Sequence, residues 1–369
     1  MIIVGVPLEV KPGENRVALT PTAVEALERA GAEVRIQAGA GDESDIPDAE
    51  YAAAGARVVP TAAQVWEADL VVKVKEPVPR EFPFLSEKSA LFAYLHLAAS
   101  PMLAEALLER RVTGIAYETV STGGTLPLLR PMSEVAGILA VQAGARALEK
   151  ACGGMGVLLP GAAGSSPSRV VVIGAGTAGR SAARIAAAVG ADVAILDIAP
   201  SALAKAAGEI QGRVRTVLAS PEAVSSEVAE ADLVISTVLV AGDKAPVLIS
   251  REMLKRMKRG AAIVDLSIDQ GGSVETSRPT THEAPYFVEE GIVHYCVTNM
   301  PAAVPRTSTS ALASATLPYV LAMARQGVEA ALRNDPALMA GLNTFRGKVT
   351  CEGVAKALGR DYTPPETIL

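Results

Sequence analysis

Residues 170–197, VVVIGAGTAGRSAARIAAAVGADVAILD, constrain the fold more than any other part of the chain. Three glycines in GxGxxG spacing follow an apolar β-branched run; an alanine-rich stretch comes next, and a second apolar run closes on an acid. That order reads as strand, tight turn, helix and strand, the dinucleotide-binding half of a doubly wound sheet. Gly174 permits the turn, Gly176 lets a pyrophosphate approach the backbone, and Gly179 lets the helix pack closely on the sheet. Thr177 and Ala178 belong to the helix start, where unpaired N–H groups and the positive dipole end favour an anion. Asp197 ends the second strand, where a carboxylate can accept both adenosine-ribose hydroxyls. Ile198 and Ala199 follow it, so no adjacent Arg serves a 2′-phosphate, and the expected cofactor is NAD.

The same alternation runs through the rest of the chain. Strands are expected at 2–6, 33–37, 57–59, 69–75, 90–95 and 113–119, with helices between them. This is a second doubly wound α/β unit, without a glycine fingerprint. A long helix starting near Pro131 leads into the nucleotide unit, whose sheet continues with strands at 214–218, 233–239, 262–268 and 293–298. A further helix over 311–333 carries Pro318, where a kink is expected. The tail to Leu369 is too short to fold alone and is expected to return to the first unit. The expected fold is therefore α/β with two Rossmann-like parallel-sheet domains. A substrate domain of 1–129 and 306–369 is interrupted by an NAD-binding domain of 130–305.

A length of 369 residues suits two domains. The net charge of −6 and the absence of any Lys/Arg block argue against a nucleic-acid partner. Cys152, Cys296 and Cys351 are too scattered for a disulfide framework or a metal cluster, which fits a reducing cytoplasm and no bound metal. The opening MIIVGVPLEV reads as a strand rather than a secretion signal, and charge or glycine interrupts every long apolar stretch, so no membrane span is expected.

In open α/β sheets ligands gather outside the carboxyl ends of the strands, where Arg16, Lys75, His96 and Glu118 all fall. Asp269, in SIDQGG, leaves the strand at 262–268 in the same way and is expected to face the nucleotide crevice. Each has a plain structural reading as well. His96 precedes an apolar run as many core histidines do, Arg16 suits a surface ion pair, and Asp269 before two glycines suits a turn. Lys73 and Lys75 share a face by strand alternation, so one of them is expected to be an edge or surface charge, and position at the strand end favours Lys75 as the functional one.

The strings NRVALTP, VKEP, YLHLA, PMSEVAG, GAGTAG, DQGG and NMPAAVPRTST occur in this order over essentially the whole chain, which in them resembles the alanine dehydrogenase family. The resemblance implies interconversion of L-alanine with pyruvate and ammonia at the expense of NAD, and a homo-oligomer that is often a hexamer. It places the carboxylate-binding arginine on Arg16, the substrate lysine on Lys75, and the catalytic pair on His96 and Asp269. Cofactor contacts fall on Ser133, on Gly174, Gly176, Thr177, Ala178 and Gly179, and on Asp197, Ser220, Leu239, Asn299 and Met300. Ala202 departs from the Lys or Arg frequent in relatives, and GAAGSSP stands where they usually have GVPGVEP. Two other readings share the fold: the nucleotide-binding subunit of a proton-pumping transhydrogenase, and an inactive NAD-sensing protein. On this resemblance His96 and Asp269 share proton transfer across a cleft between the domains.

Overall fold

The computed structural model describes residues 1–238 and 245–369. The chain divides into two compact units, one of Met1–Met132 with Ala302–Leu369 and one of Ser133–Pro301. Among the described residues no helix is long and apolar enough to cross a membrane.

The first unit holds β1 (Ile3–Val6), β2 (Glu33–Gln37), β3 (Arg57–Val59), β4 (Leu70–Val72), β5 (Ala90–Ala93) and β6 (Thr113–Ala116). The second holds β7 (Arg169–Ile173), β8 (Asp192–Asp197), β9 (Val214–Leu218), β10 (Leu233–Ser236), β11 (Ala262–Asp265), β12 (Tyr286–Glu289) and β13 (Ile292–Tyr295). The tail then returns to the first unit as β14 (Leu342–Phe345) and β15 (Lys348–Val349).

The strand orders are β15-β14-β6-β5-β4-β1-β2-β3 and β12-β13-β11-β10-β7-β8-β9. Set aside β12, β14 and β15, and both are the doubly wound order 3-2-1-4-5-6. The reversal of strand order lies between β1 and β4 in one sheet and between β7 and β10 in the other. The two sheets are not wholly parallel, as the alternation suggested. β14 pairs antiparallel with β6 and with β15, and β12 with β13. These strands are two to four residues long, and two-residue turns join β12 to β13 and β14 to β15, so no helix between them announces the pairing.

Helices cover both faces of the second sheet, and Val170, Val172 and Ile195 bury into one core while Val171, Ala194 and Leu196 bury into the other. This is why its strands read as continuous apolar runs. Thr20 caps the helix Pro21–Arg29 by accepting the Ala23 N–H, with Pro21 at the first helical position. The helix expected over 311–333 begins earlier, at Pro305, and runs on through Pro318 to Gln326. Gly327, at φ 81°, separates it from a second helix, Val328–Asn334.

Several strands stop short of their expected carboxyl ends, at Val72, Ala93, Ala116, Ser236 and Asp265. Val74, Leu95 and Ile268 lie beyond those ends yet remain buried. Apolar periodicity reports burial, and at the mouth of a doubly wound sheet buried chain continues past the last ladder hydrogen bond.

Candidate functional site

In the first unit, the loops leaving β1, β4, β5 and β6 carry Arg16, Lys75, His96 and Glu118. The loops after β1 and β4 flank the reversal in strand order, where adjacent loops part in opposite directions and leave a crevice.

Arg16 is not an exposed ion-pair partner, being only 2% accessible. Glu14 takes one edge of its guanidinium, accepting from Nε at 2.6 Å and from Nη2 at 2.5 Å, while Nη1 lies 3.0 Å from Met132 Sδ. Burial works against the charge, but the Glu14 hydrogen bonds and charge outweigh it and hold Arg16 firmly protonated.

Lys73 is not an edge or surface charge either. It is fully buried, with Nζ 2.9 Å from Glu81 Oε1 and 3.2 Å from Glu9 Oε2. Burial would lower its pKa, yet the two carboxylates raise it. Glu9 is pushed up by burial against the opposing pull of Lys73, and its Oε1 accepts the Val74 N–H at 2.6 Å. The alternation argument fails here because β4 ends at Val72, so neither lysine is on a strand. Lys75 is half-buried, and its charge reaches both Glu76 and His96. Glu76 also pairs with Lys11, and these cations hold its carboxyl low despite burial.

His96 is half-buried in the left-handed region, at φ 47° and ψ 39°. For a residue with a Cβ that conformation costs about 1–2 kcal/mol. Strain of this kind at a strand end is what functional sites tend to hold. Its ring stacks on Tyr94 with centroids 6.0 Å apart, and Tyr94 donates from its hydroxyl to the Leu128 carbonyl. Burial, with help from Lys75, pushes the imidazole below its ordinary value, although Glu118 and Glu76 oppose this. The neutral ring is therefore favoured near pH 7.

In the second unit the three glycines differ in what a side chain would meet. Gly174 has φ 101°. At Gly179 a Cβ would lie 1.8 Å from the Gly174 carbonyl oxygen, whereas at Gly176 it would meet nothing within 4 Å. Gly176 caps the helix Thr177–Ala188, so open space lies over that helix's N-terminus. A dinucleotide pyrophosphate fits this cradle.

Asp197 accepts the Ala175 N–H at 2.6 Å through Oδ2 and the Ala199 N–H at 2.8 Å through Oδ1. Its carboxylate thus fixes the glycine loop and keeps a further lone pair on each oxygen for ribose hydroxyls. Two residues that sequence proximity passed over also hold this loop. Thr237 donates to the carbonyls of Ile173 and Gly174, and Arg180 donates from Nη1 to the Ala175 carbonyl at 2.6 Å. Arg180 lies 17 residues before Asp197 in the sequence and also donates from Nε to Glu209 at 2.9 Å.

Ser133 lies one turn before Gly137 on the helix Arg130–Ala147. A Cβ on Gly137 would sit 2.2 Å from the Ala178 carbonyl, so this face of the helix packs on the glycine-loop helix. Asp269 is exposed in a short 3₁₀ turn, Leu266–Gln270, and Oδ1 accepts the Asn299 N–H at 3.4 Å. Asn299 too has positive φ, 57°. The strand-end carboxylate Asp265 is instead buried and caged by Ser267, Ser273 and Ser277. Ser220 accepts the Ala223 N–H as a helix N-cap, and Met300 is buried in the core. Leu239 lies outside the described residues. Among the described residues no group of His, Cys, Asp and Glu could hold a metal ion.

Two family models match the chain: the N-terminal domain of alanine dehydrogenase/PNT over residues 5–136 and its C-terminal domain over 140–352. Alanine dehydrogenase of Bacillus subtilis (strain 168) is 50% identical over 369 residues, covering 100% of this chain and 98% of the relative. That of Mycobacterium tuberculosis (strain ATCC 25618 / H37Rv) is 52% identical over 368 residues, 99% of each. A solved L-alanine dehydrogenase superposes with a TM-score of 0.93 at 44% identity, covering 97% of this chain and 99% of that one. A transhydrogenase from Sinorhizobium meliloti gives 0.81 at 28%, covering 95% and 99%. Matched from end to end in sequence and fold, with a first unit whose strand-end loops carry Arg16, Lys75 and His96 and a second unit built on the glycine loop, the chain belongs to the alanine dehydrogenase family.

Proposed function

We propose that this chain catalyses oxidative deamination of L-alanine to pyruvate and ammonia with NAD, and the reverse reductive amination. The observation that carries this is identity of about one half to alanine dehydrogenases over the full length of both chains. The first unit corresponds to the substrate domain expected over 1–129 and 306–369, and the second to the dinucleotide domain expected over 130–305. Transhydrogenase is the less favoured reading, since identity to its structure is only 28%.

The bound nicotinamide supplies the acceptor for the hydride that leaves the alanine Cα. Arg16 meets the substrate carboxylate through its planar guanidinium, and Lys75 offers a compact charge to the same carboxylate or to the nascent carbonyl. Water adds to the imino acid and ammonia leaves, which requires a proton acceptor and donor. His96, neutral near pH 7, takes a proton from the attacking water and returns it to the departing nitrogen, and Asp269 is the second member of the proposed catalytic pair. Ser133, Gly174, Gly176, Thr177, Ala178, Gly179, Asp197, Ser220, Leu239, Asn299 and Met300 form the NAD site. Ser220 and Met300 act there through the backbone they fix. The working form is a cytoplasmic homo-oligomer, a hexamer by family resemblance, which light scattering on the purified protein tests.

The direct assay is NADH absorbance on adding L-alanine and NAD. The reading requires NADH to form with alanine present and not without it. It also requires His96→Ala and Asp269→Asn each to lower kcat by about 10² to 10⁴ while NAD still binds, with the double variant less than additive. Absence of alanine-dependent NADH with NAD still bound leaves the inactive sensor; hydride passing between nucleotides leaves the transhydrogenase.

A further inference from the structure

Glu118 stands just beyond β6, and its carboxylate is directed at the backbone of the next loop rather than at a cation. Oε1 accepts the His96 N–H at 2.6 Å, and both oxygens accept the Leu95 N–H at 3.2 Å. The same Oε1 lies 4.0 Å from His96 Nδ1. β5 and β6 are hydrogen-bonded neighbours with Ala93 opposite Ala116, so the sheet itself carries Glu118 to the loop that holds His96. That loop needs support, because His96 is in the left-handed region that side chains with a Cβ avoid. A carboxylate that accepts two consecutive N–H groups makes the strong, charge-assisted kind of hydrogen bond that can hold such a turn.

We propose that Glu118 is a positioning residue for His96: its carboxylate fixes the left-handed turn that presents the imidazole and gives Nδ1 an anionic neighbour. This rests on the reading of His96 as the proton-handling group. The charged groups facing His96 are the anions Glu118 and Glu76 and the cations Lys75 and Lys11. Removing Glu118 leaves the cations in excess, so the imidazole then titrates at lower pH. Tyr94, stacked on the ring, holds its face but offers no charge.

Two variants separate the duties. Glu118→Gln keeps a carbonyl oxygen that can accept both N–H groups and removes the charge, whereas Glu118→Ala removes both. The measurements on the full-length protein are the His96 titration by NMR, assigned through the signal lost in His96→Gln, and kcat for alanine with KM for NAD. Expected are a fall of about half a pH unit or more in the His96 titration of Glu118→Gln, and a loss in kcat of about 10- to 10²-fold in Glu118→Ala with KM for NAD unchanged. The loss in Glu118→Gln is smaller than in Glu118→Ala. A titration that stays in place in Glu118→Gln, or a kcat in Glu118→Ala at the wild-type level, overturns the proposal. If Glu118→Ala does not fold, the Glu118→Gln titration decides. Failure of the parent reading looks different: the wild-type protein then forms no NADH from alanine, while the titration still reports on Glu118 and His96.

Discussion

At single residues, burial decides what a charge can do. Arg16 reads from the sequence as a carboxylate anchor or a surface charge, but its guanidinium is buried and forked onto Glu14, itself only 6% exposed. Substitution there has two separable consequences. Arg16→Ala leaves the Glu14 carboxylate buried without its partner and is expected to cost about 3–5 kcal/mol in urea unfolding. Arg16→Lys keeps the charge and loses the fork, so KM for alanine and pyruvate rises while NAD binding, read by calorimetry, stays near wild type. An equal loss of NAD affinity in Arg16→Lys excludes Arg16 as a substrate anchor. His294 gives the second residue-scale prediction. It is fully buried on β13, hydrogen-bonded to Thr276 and to the Ile292 carbonyl, and burial lowers its pKa. Between that lowered value and about 6.5, the unfolded chain binds the proton that the folded chain refuses. Stability is therefore complete above about pH 6.5 and falls below it, by at most about 1.4 kcal/mol per pH unit from this group. Urea midpoints measured across that range are expected to flatten in His294→Gln relative to wild type.

Among elements, the strand–glycine loop–helix unit makes the sharpest prediction, because two glycines of one motif have opposite surroundings. Gly179→Ala drives a methyl into the Gly174 carbonyl and the Thr237 hydroxyl, neither of which is the end of a flexible chain. It is expected to destabilise the second unit by several kcal/mol, the large tail of point-mutant effects, and to lower its melting temperature. Gly176→Ala meets no protein atom and keeps an ordinary φ of −67°, so the fold survives. Its methyl instead occupies the space proposed for the pyrophosphate, and calorimetry is expected to show weakened NAD binding at an unchanged melting temperature. Normal NAD affinity in a folded Gly176→Ala protein would place the pyrophosphate elsewhere.

For the whole molecule, two units with separate cores imply two ligand-linked stabilities. NAD, proposed to bind the second unit, stabilises it by about 2.7 kcal/mol at a hundredfold excess over Kd. In calorimetry the transition assigned to that unit by its downward shift in Gly179→Ala is expected to rise with NAD. A rise absent from that transition counts against the assignment of the dinucleotide to it. The sequence by itself determined the fold class and both doubly wound units, because apolar runs buried on two faces and glycine spacing are local signals. It also named Gly174 for a turn and Gly179 for close helix packing, since a turn and a close approach are properties of one or two residues. Only the tertiary structure decided that Lys73 is buried between Glu9 and Glu81, and that Glu14 takes one edge of Arg16. It alone placed Arg180 and Thr237 on the glycine loop, Glu118 under a strained His96, and β12, β14 and β15 at the sheet edges. Those facts join residues that are distant in sequence or strands too short to show a period. Burial, hydrogen-bond partners and edge pairing arise only once parallel strands have brought their carboxyl ends together.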